Sequence, residues 1–264
     1  MNYYCIEDMI VDAAQMVRPP ERLLVSEAAQ KYRILNNPGA HVGPWDNSIA
    51  PYLVEPMDVL TSLEFTAMVF VGPAQCGKTD MSLNYLAHSA ICDPADFMLI
   101  QPTQAASRDF SKRRIDRLFQ HSPAVGDRVM PGSQNQNTFD TKFKSGMLFT
   151  LSWPTIAELS GKPIPRLWLS DYDRMEQNVD GEGSPFDLAR KRATTFKQFG
   201  MTVAESSPGF AVDDPKAVVA TPHSGPPTQG IIALYNRGDK RRWYWPCAGC
   251  GEAFEPDFLS LIHI

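Results

Sequence analysis

Several things are scarce or missing in this 264-residue chain, and each absence narrows what it can be. Its five cysteines are too few and too scattered for a disulfide framework, so Cys5, Cys76 and Cys92 read as free thiols and only Cys247 and Cys250 stand as a pair. No apolar run reaches the roughly 18 residues that a membrane-spanning helix needs, which excludes a helical membrane protein. The N-terminus carries Glu7 and Asp8 where a secretory signal would place basic residues ahead of an apolar stretch, so the chain is expected to remain in a cytoplasm. Positive charge is also short: 25 Lys and Arg against 30 Asp and Glu give a net charge of −5. That excludes a protein that coats nucleic acid by bulk electrostatics and confines any phosphate contact to a local patch. No internal repeat is visible. What is present, 43% hydrophobic and 21% charged residues, suits one large globular domain or one domain with a small appendage.

The pattern along the chain divides it into three parts. Residues 1–64 contain helical stretches and a Pro/Gly/Asn-rich irregular passage at 36–51, which together read as an N-terminal wrap. Residues 65–221 alternate short apolar runs with longer amphipathic ones: strands at 66–71, 97–100 and 167–169, helices at 78–91 and 104–119. Such alternation predicts an α/β fold in which a mainly parallel sheet is flanked by crossover helices. Residues 138–152 turn at 144–146 and read as a hairpin or two adjacent strands, while a helix near 185–199 and a strand at 201–204 extend the sheet. Residues 222–264 read as a Pro-rich connector followed by a small Cys-containing hairpin.

The most specific local signal is Gly72-Pro73-Ala74-Gln75-Cys76-Gly77-Lys78-Thr79, a complete G-x-x-x-x-G-K-[ST] between a strand and a helix. In this P-loop pattern the backbone from Gly72 through Gln75 to Gly77 closes around phosphate oxygens, Lys78 reaches the β- and γ-phosphates, and the Thr79 hydroxyl ligates Mg²⁺. Lys78 is expected to be an exposed loop lysine with little weight in stability. The bland reading, a Gly-rich turn capping a helix, explains the glycines but not Lys78-Thr79. A P-loop needs an acidic partner on a nearby strand, and the apolar run ending at Leu169 leads to Ser170-Asp171-Tyr172-Asp173. Asp171 is the first candidate to hold Mg²⁺ or orient water, and Asp173 the second. Two registers stay open. Either Asp171 is the metal ligand and Tyr172 stands where a catalytic Glu would follow, or Asp171 takes the Glu position and Ser170 the metal position. The competing structural reading makes both aspartates caps of the following helix.

Five segments taken in order carry a family resemblance: Tyr52-Leu53-Val54-Glu55-Pro56-Met57, Gln101-Pro102-Thr103, Leu169-Ser170-Asp171-Tyr172-Asp173-Arg174-Met175, Glu205-Ser206-Ser207-Pro208, and Trp243-Tyr244-Trp245-Pro246-Cys247-Ala248-Gly249-Cys250-Gly251. With the P-loop they resemble the large-terminase family of tailed phages, on the lambda-like branch. The resemblance implies a P-loop NTPase with a RecA/helicase-like sheet carrying an additional strand. It also implies ATP and Mg²⁺ as cofactors, and hydrolysis coupled to movement of double-stranded DNA into a procapsid in the host cytoplasm. The implied partners are a small terminase subunit, a portal and further copies of the same chain, with no membrane.

By the same resemblance Ser206 and Ser207 form a coupling motif that senses the γ-phosphate, and Tyr52 belongs to a segment that shapes the adenine pocket, with Trp45 a second aromatic there. Arg108, Lys112, Arg113, Arg114 and Arg117, then Arg190, Lys191 and Arg192, form either a phosphate track or a solvated face. Ala74 and Gln75 offer no basic residue where the family often has one, which leaves an arginine finger unassigned. The family's metal-dependent nuclease domain lies downstream, so endonuclease activity is not expected of this chain. Cys247 and Cys250 form half of a zinc knuckle, since a structural Zn²⁺ site takes four ligands. Leu259-Ser260-Leu261-Ile262-His263-Ile264 could be encoded by the end of a sequencing adapter, which makes an artificial C-terminus the expectation for that tail. A helicase-like DNA-dependent ATPase and a catalytically silent nucleotide-binding fragment are the alternatives.

Overall fold

The computed structural model describes residues 21–214 and 221–255, together with residues 5, 6, 10 and 219. The apolar runs become strands β3 (Ala67–Val71), β4 (Phe97–Ile100), β7 (Arg166–Leu169) and β8 (Met201–Ser206), after a small hairpin of β1 (Ile34–Asn36) and β2 (Val42–Pro44). With β5 (Asp140–Lys142) and β6 (Leu148–Ser152) they form a six-stranded sheet in the order β3-β8-β7-β4-β6-β5. All neighbours pair in parallel except β5, which folds back antiparallel on β6 and so realises the hairpin expected at 138–152. Every residue of β4, β7 and β8 is buried, as a parallel strand covered on both faces requires.

Strand alternation sends successive side chains to opposite faces. Phe97, Leu99, Trp168, Met201 and Val203 pack against α3 (Lys78–Ile91) through Met81, Leu83 and Tyr85. Met98, Ile100, Leu167, Leu169 and Ala204 pack against α8 (Pro185–Ala193) and α9 (Gly230–Asn236). The N-terminal segment joins the first layer: α1 (Val25–Tyr32) and α2 (Val54–Val59) add Val25, Ala28, Ala29 and Met57 to the same cluster as α3. Arg33 and Asp80 at 3.2 Å tie this segment to the first turn of α3.

Helix limits follow local chemistry. The Ser184 hydroxyl accepts the Asp187 N–H and Pro185 occupies the first turn, so α8 starts where expected. It ends early, at Ala193, and 3₁₀ turns follow over Thr194–Phe199, interrupted by a kink at Lys197 with φ 52° and ψ −127°. The helix expected at 104–119 is three pieces: α4 (Gln104–Phe110), a π-helical turn at Ser111–Ile115 and α5 (Asp116–His121), which leads into the short α6 (Pro123–Gly126). A single turn, α7 (Ile156–Leu159), precedes β7. The span read as a connector also contains α9, whose Ile231 and Leu234 complete the second layer. Among the described residues no helix is long and apolar enough to cross a membrane.

Candidate nucleotide site

The P-loop leaves β3 at Val71 and re-enters regular structure at Lys78. At two of its glycines a side chain would crowd the loop, and at the second it would also strain the backbone. A Cβ on Gly72 would lie 2.7 Å from Cys76 Sγ and 2.9 Å from Phe70 Cε1, and Gly77 has φ +83° with Leu53 Cδ1 2.8 Å from where its Cβ would be. Gln75, exposed at the crown of the loop, is left-handed at φ 64°. The loop therefore delivers its chain to the N-terminus of α3, where free N–H groups and the helix dipole favour an anion.

Lys78 is not the exposed lysine that its place in a loop suggested. Its side chain is buried, and Nζ donates to Pro73 O at 2.6 Å, Gly72 O at 3.2 Å and Ser207 Oγ at 3.1 Å. The reason is that β8 lies beside β3, so the residue after β8 faces the loop; Gly72 N–H also donates to Ser206 O at 3.2 Å. Tyr52 braces the loop from outside, its hydroxyl donating to Cys76 O at 3.1 Å and its ring meeting Trp243 edge-on at 6.3 Å. Trp45 is a core residue whose indole donates to Asn47 Oδ1 at 2.7 Å. Thr79 is half-buried in the first turn of α3.

On the acidic side, β7 runs straight to Ser170, and the chain then turns sharply at Asp171, a non-glycine residue at φ 52° and ψ 49°. Such a conformation costs roughly 1–2 kcal/mol and marks a place where the surroundings dictate the backbone. The half-buried Asp171 and the buried Ser170 both meet a residue that sequence reasoning gave no role. Glu205 of β8 accepts the Ser170 hydroxyl at 2.6 Å and the Asp171 N–H at 3.4 Å. Burial pushes its carboxyl up to about 7, and the charge of Asp171 pushes the same way; the Ser170 hydroxyl, Lys78 and the Asp171 N–H pull it down. The signal that would have found it is an acid at the penultimate position of an apolar strand, directly before Ser206-Ser207.

Asp173 departs from its expected place in the acidic pair. Its Oδ1 accepts the Ile231 N–H at 2.6 Å and its Oδ2 the Gly209 N–H at 2.8 Å, while its own N–H donates to Ser206 Oγ at 3.2 Å. Both carboxylate oxygens are thus engaged in joining the turn after β7 to the start of α9 and to the loop after β8. Ser206 in turn donates to Ser207 O at 2.9 Å, so the two serines link Lys78 on one side to the Asp173 turn on the other.

Residues 39–263 match the family model described as phage terminase large subunit gpA, ATPase domain. The chain belongs to that terminase family. It is similar to the terminase large subunit of Enterobacteria phage P21, with 24% identity over 238 residues that make up 88% of this chain and 34% of that protein. The crystal structure of the HK97 bacteriophage large terminase superposes with a TM-score of 0.51 at 12% identity, over 69% of this chain and 37% of that one. This second likeness concerns the fold. The chain thus spans about a third of the length of both.

Among the described residues no three His, Cys, Asp or Glu side chains converge as a metal site. Magnesium is commonly held by one or two carboxylates plus phosphate oxygens and water, and the hydroxyl of Thr79 and the carboxylate of Asp171 are the side chains that would contribute to such a shell.

The cysteine pair sits on the turn between β9 (Trp245–Pro246) and β10 (Ala253–Phe254), with Gly251 N–H donating to Cys247 O at 2.8 Å. Backbone N–H groups of Cys250 and Gly249 pull the Cys247 thiol below its usual range. Among the described residues no third His, Cys, Asp or Glu joins the two cysteines. Residues 259–264, and with them the adapter reading, lie outside the described residues.

The basic clusters separate by burial. Arg192 is buried and donates to the carbonyls of Leu159, Lys162 and Glu158, whereas Lys112 and Arg113 are exposed and paired with Asp116 and Asp109 along their own helix.

Proposed function

We propose that this chain is the ATP-hydrolysing motor domain of a viral DNA-packaging terminase, coupling hydrolysis to translocation of double-stranded DNA. The observation that carries this reading is Lys78 held between the carbonyls of Gly72 and Pro73 and the hydroxyl of Ser207. Those are weak neutral partners for a buried ammonium, and phosphate oxygens are far stronger ones. When phosphate enters, Lys78 exchanges these contacts for the β- and γ-oxygens and leaves Ser207. Because Ser206 links the Asp173 turn to Ser207, that exchange alters the restraint on the turn after β7 and on α9. A nucleotide signal thereby reaches the second face of the sheet, which is what coupling to DNA movement needs.

In this reading the backbone of Gly72, Gln75 and Gly77 cradles the phosphates, and Tyr52 sets the loop against the base. Thr79 would hold Mg²⁺, and Asp171 either completes that hold or, in the other register, orients the attacking water while Ser170 stands at the metal position. When bound, magnesium supplies positive charge that offsets the charge developing on the transferred phosphoryl group. Asp173 serves as a tie between elements. The partners follow the family: duplex DNA, a small terminase subunit, a portal on the procapsid and further copies of the chain, in the host cytoplasm.

Steady-state ATP hydrolysis by the wild-type chain against Lys78→Ala tests the proposal. A loss of about a hundredfold or more is expected from removing the cation that stabilises transition-state charge. Near-normal turnover in the variant would sink the assignment, and no turnover in the wild type would favour a silent binder. Duplex-stimulated hydrolysis without strand separation distinguishes a packaging motor from a helicase.

A further inference from the structure

One of the two registers open at the end of β7 puts Ser170 where a metal-holding carboxylate belongs, and a hydroxyl brings no negative charge. The adjacent strand brings one. Leu169 pairs with Ala204 in the β7–β8 ladder, so Ser170 and Glu205 are the next residues across it. Trp168 and Val203, two positions back on each strand, share the cluster beneath α3, so alternation turns Ser170 and Glu205 to the face on which the P-loop helix lies. Glu205 is 1% exposed and Ser170 4%, and their side chains meet at 2.6 Å. The second carboxylate oxygen, Oε2, is buried and accepts no hydrogen bond from any described residue. A buried acceptor without a protein partner is rare and costly, and it calls for a partner from outside the chain such as water or an ion's hydration shell.

The geometry points to Glu205 as the positioning carboxylate of the Mg²⁺–nucleotide site, a negative charge supplied from β8 and delivered through Ser170 in place of an acid on β7. The inference rests on the reading of the P-loop as a nucleotide site. Glu205 fixes the direction of the Ser170 hydroxyl proton, which leaves the oxygen lone pairs of Ser170 for a water of the cation shell. It also accepts the Asp171 N–H at 3.4 Å, where the chain makes its left-handed turn after β7. A glutamine could satisfy Ser170 as a hydrogen-bond partner but would carry no charge, so the two roles separate by experiment.

The test uses Mn²⁺ as the probe, followed by its electron paramagnetic resonance signal in the presence of a non-hydrolysable ATP analogue, with nucleotide binding in EDTA and thermal melting measured alongside. Glu205→Gln is expected to weaken Mn²⁺ binding by about tenfold or more, the usual cost of losing an outer-shell partner, while metal-free nucleotide binding is unchanged. Ser170→Ala should do the same by breaking the relay, and it serves should Glu205→Gln fail to fold. Moving the acid back across the ladder with Ser170→Asp and Glu205→Ser together should recover the loss. Wild-type Mn²⁺ affinity in both single variants, or a folded double variant that binds no better than Glu205→Gln, overturns the proposal. Lys78→Ala serves as the control: if it binds nucleotide as the wild type does, the underlying nucleotide site fails, whereas lost binding there with unaltered Mn²⁺ affinity in Glu205→Gln removes only the part given to Glu205.

Discussion

Two aspartates two positions apart have opposite fates because of what their side chains reach. Asp171 follows β7 with its backbone left-handed and its N–H on Glu205, while both oxygens of Asp173 accept backbone N–H groups from Ile231 and Gly209. Asp171→Asn is therefore expected to abolish most hydrolysis with little change in melting temperature. Asp173→Asn keeps only one acceptor oxygen, so one of those N–H groups loses its partner at a cost of about 1–3 kcal/mol. Denaturant unfolding and turnover measured on both variants check this; a larger turnover defect in Asp173→Asn at unchanged stability would place the catalytic acid there instead. The acidic character of 171–173 was legible in the sequence. Which of the two acids was already committed to backbone groups was not, because their partners lie 36 and 58 residues further along the chain.

At the scale of elements, the start of α3 is where loop geometry and helix packing meet. Gly77→Ala puts a Cβ into Leu53 at a backbone angle that L-residues avoid. A strain cost of roughly 1–2 kcal/mol is expected, together with weaker nucleotide binding, since the loop must shift to relieve the contact. Calorimetric titration of nucleotide and thermal melting measure the two effects; an unchanged affinity would mean that the loop tolerates another path. The strand–loop–helix unit around Gly77 was readable because its signals are local: an apolar run, glycines at fixed spacing, and helical periodicity from Lys78 to Ile91. The helix α9 was not, since its seven residues follow a Pro-rich stretch and its N-terminus is organised by Asp173 from a distant turn.

Across the whole molecule, the N-terminal segment is held to the core through His88, which lies in α3 with Nε2 2.8 Å from Leu23 O. Burial, the largest cause, holds the His88 pKa below its usual 6.5, so the folded chain binds this proton less readily than the unfolded one. Its contribution to stability is present above pH 6.5 and is lost as pH falls through the lowered folded value. Melting temperature should therefore drop as pH falls below about 6.5 and on through the lowered folded value, and drop less in His88→Gln, which keeps an N–H donor for Leu23 and does not titrate. Parallel pH profiles in the two proteins would show that other groups carry the acid sensitivity.

The amino-acid order by itself determined the class of the domain: the P-loop, the alternation of buried strands and helices, and the acidic end of β7 are written in runs of a few residues and in fixed spacings. The tertiary structure decided which groups share one site. By lying between β3 and β7, β8 brings Ser207 to Lys78 across 129 residues of chain and Glu205 to Ser170 across 35. No periodicity or spacing encodes those meetings. They follow from strand order and from the face to which alternation turns each side chain, and both are set only when the two apolar layers close on the sheet.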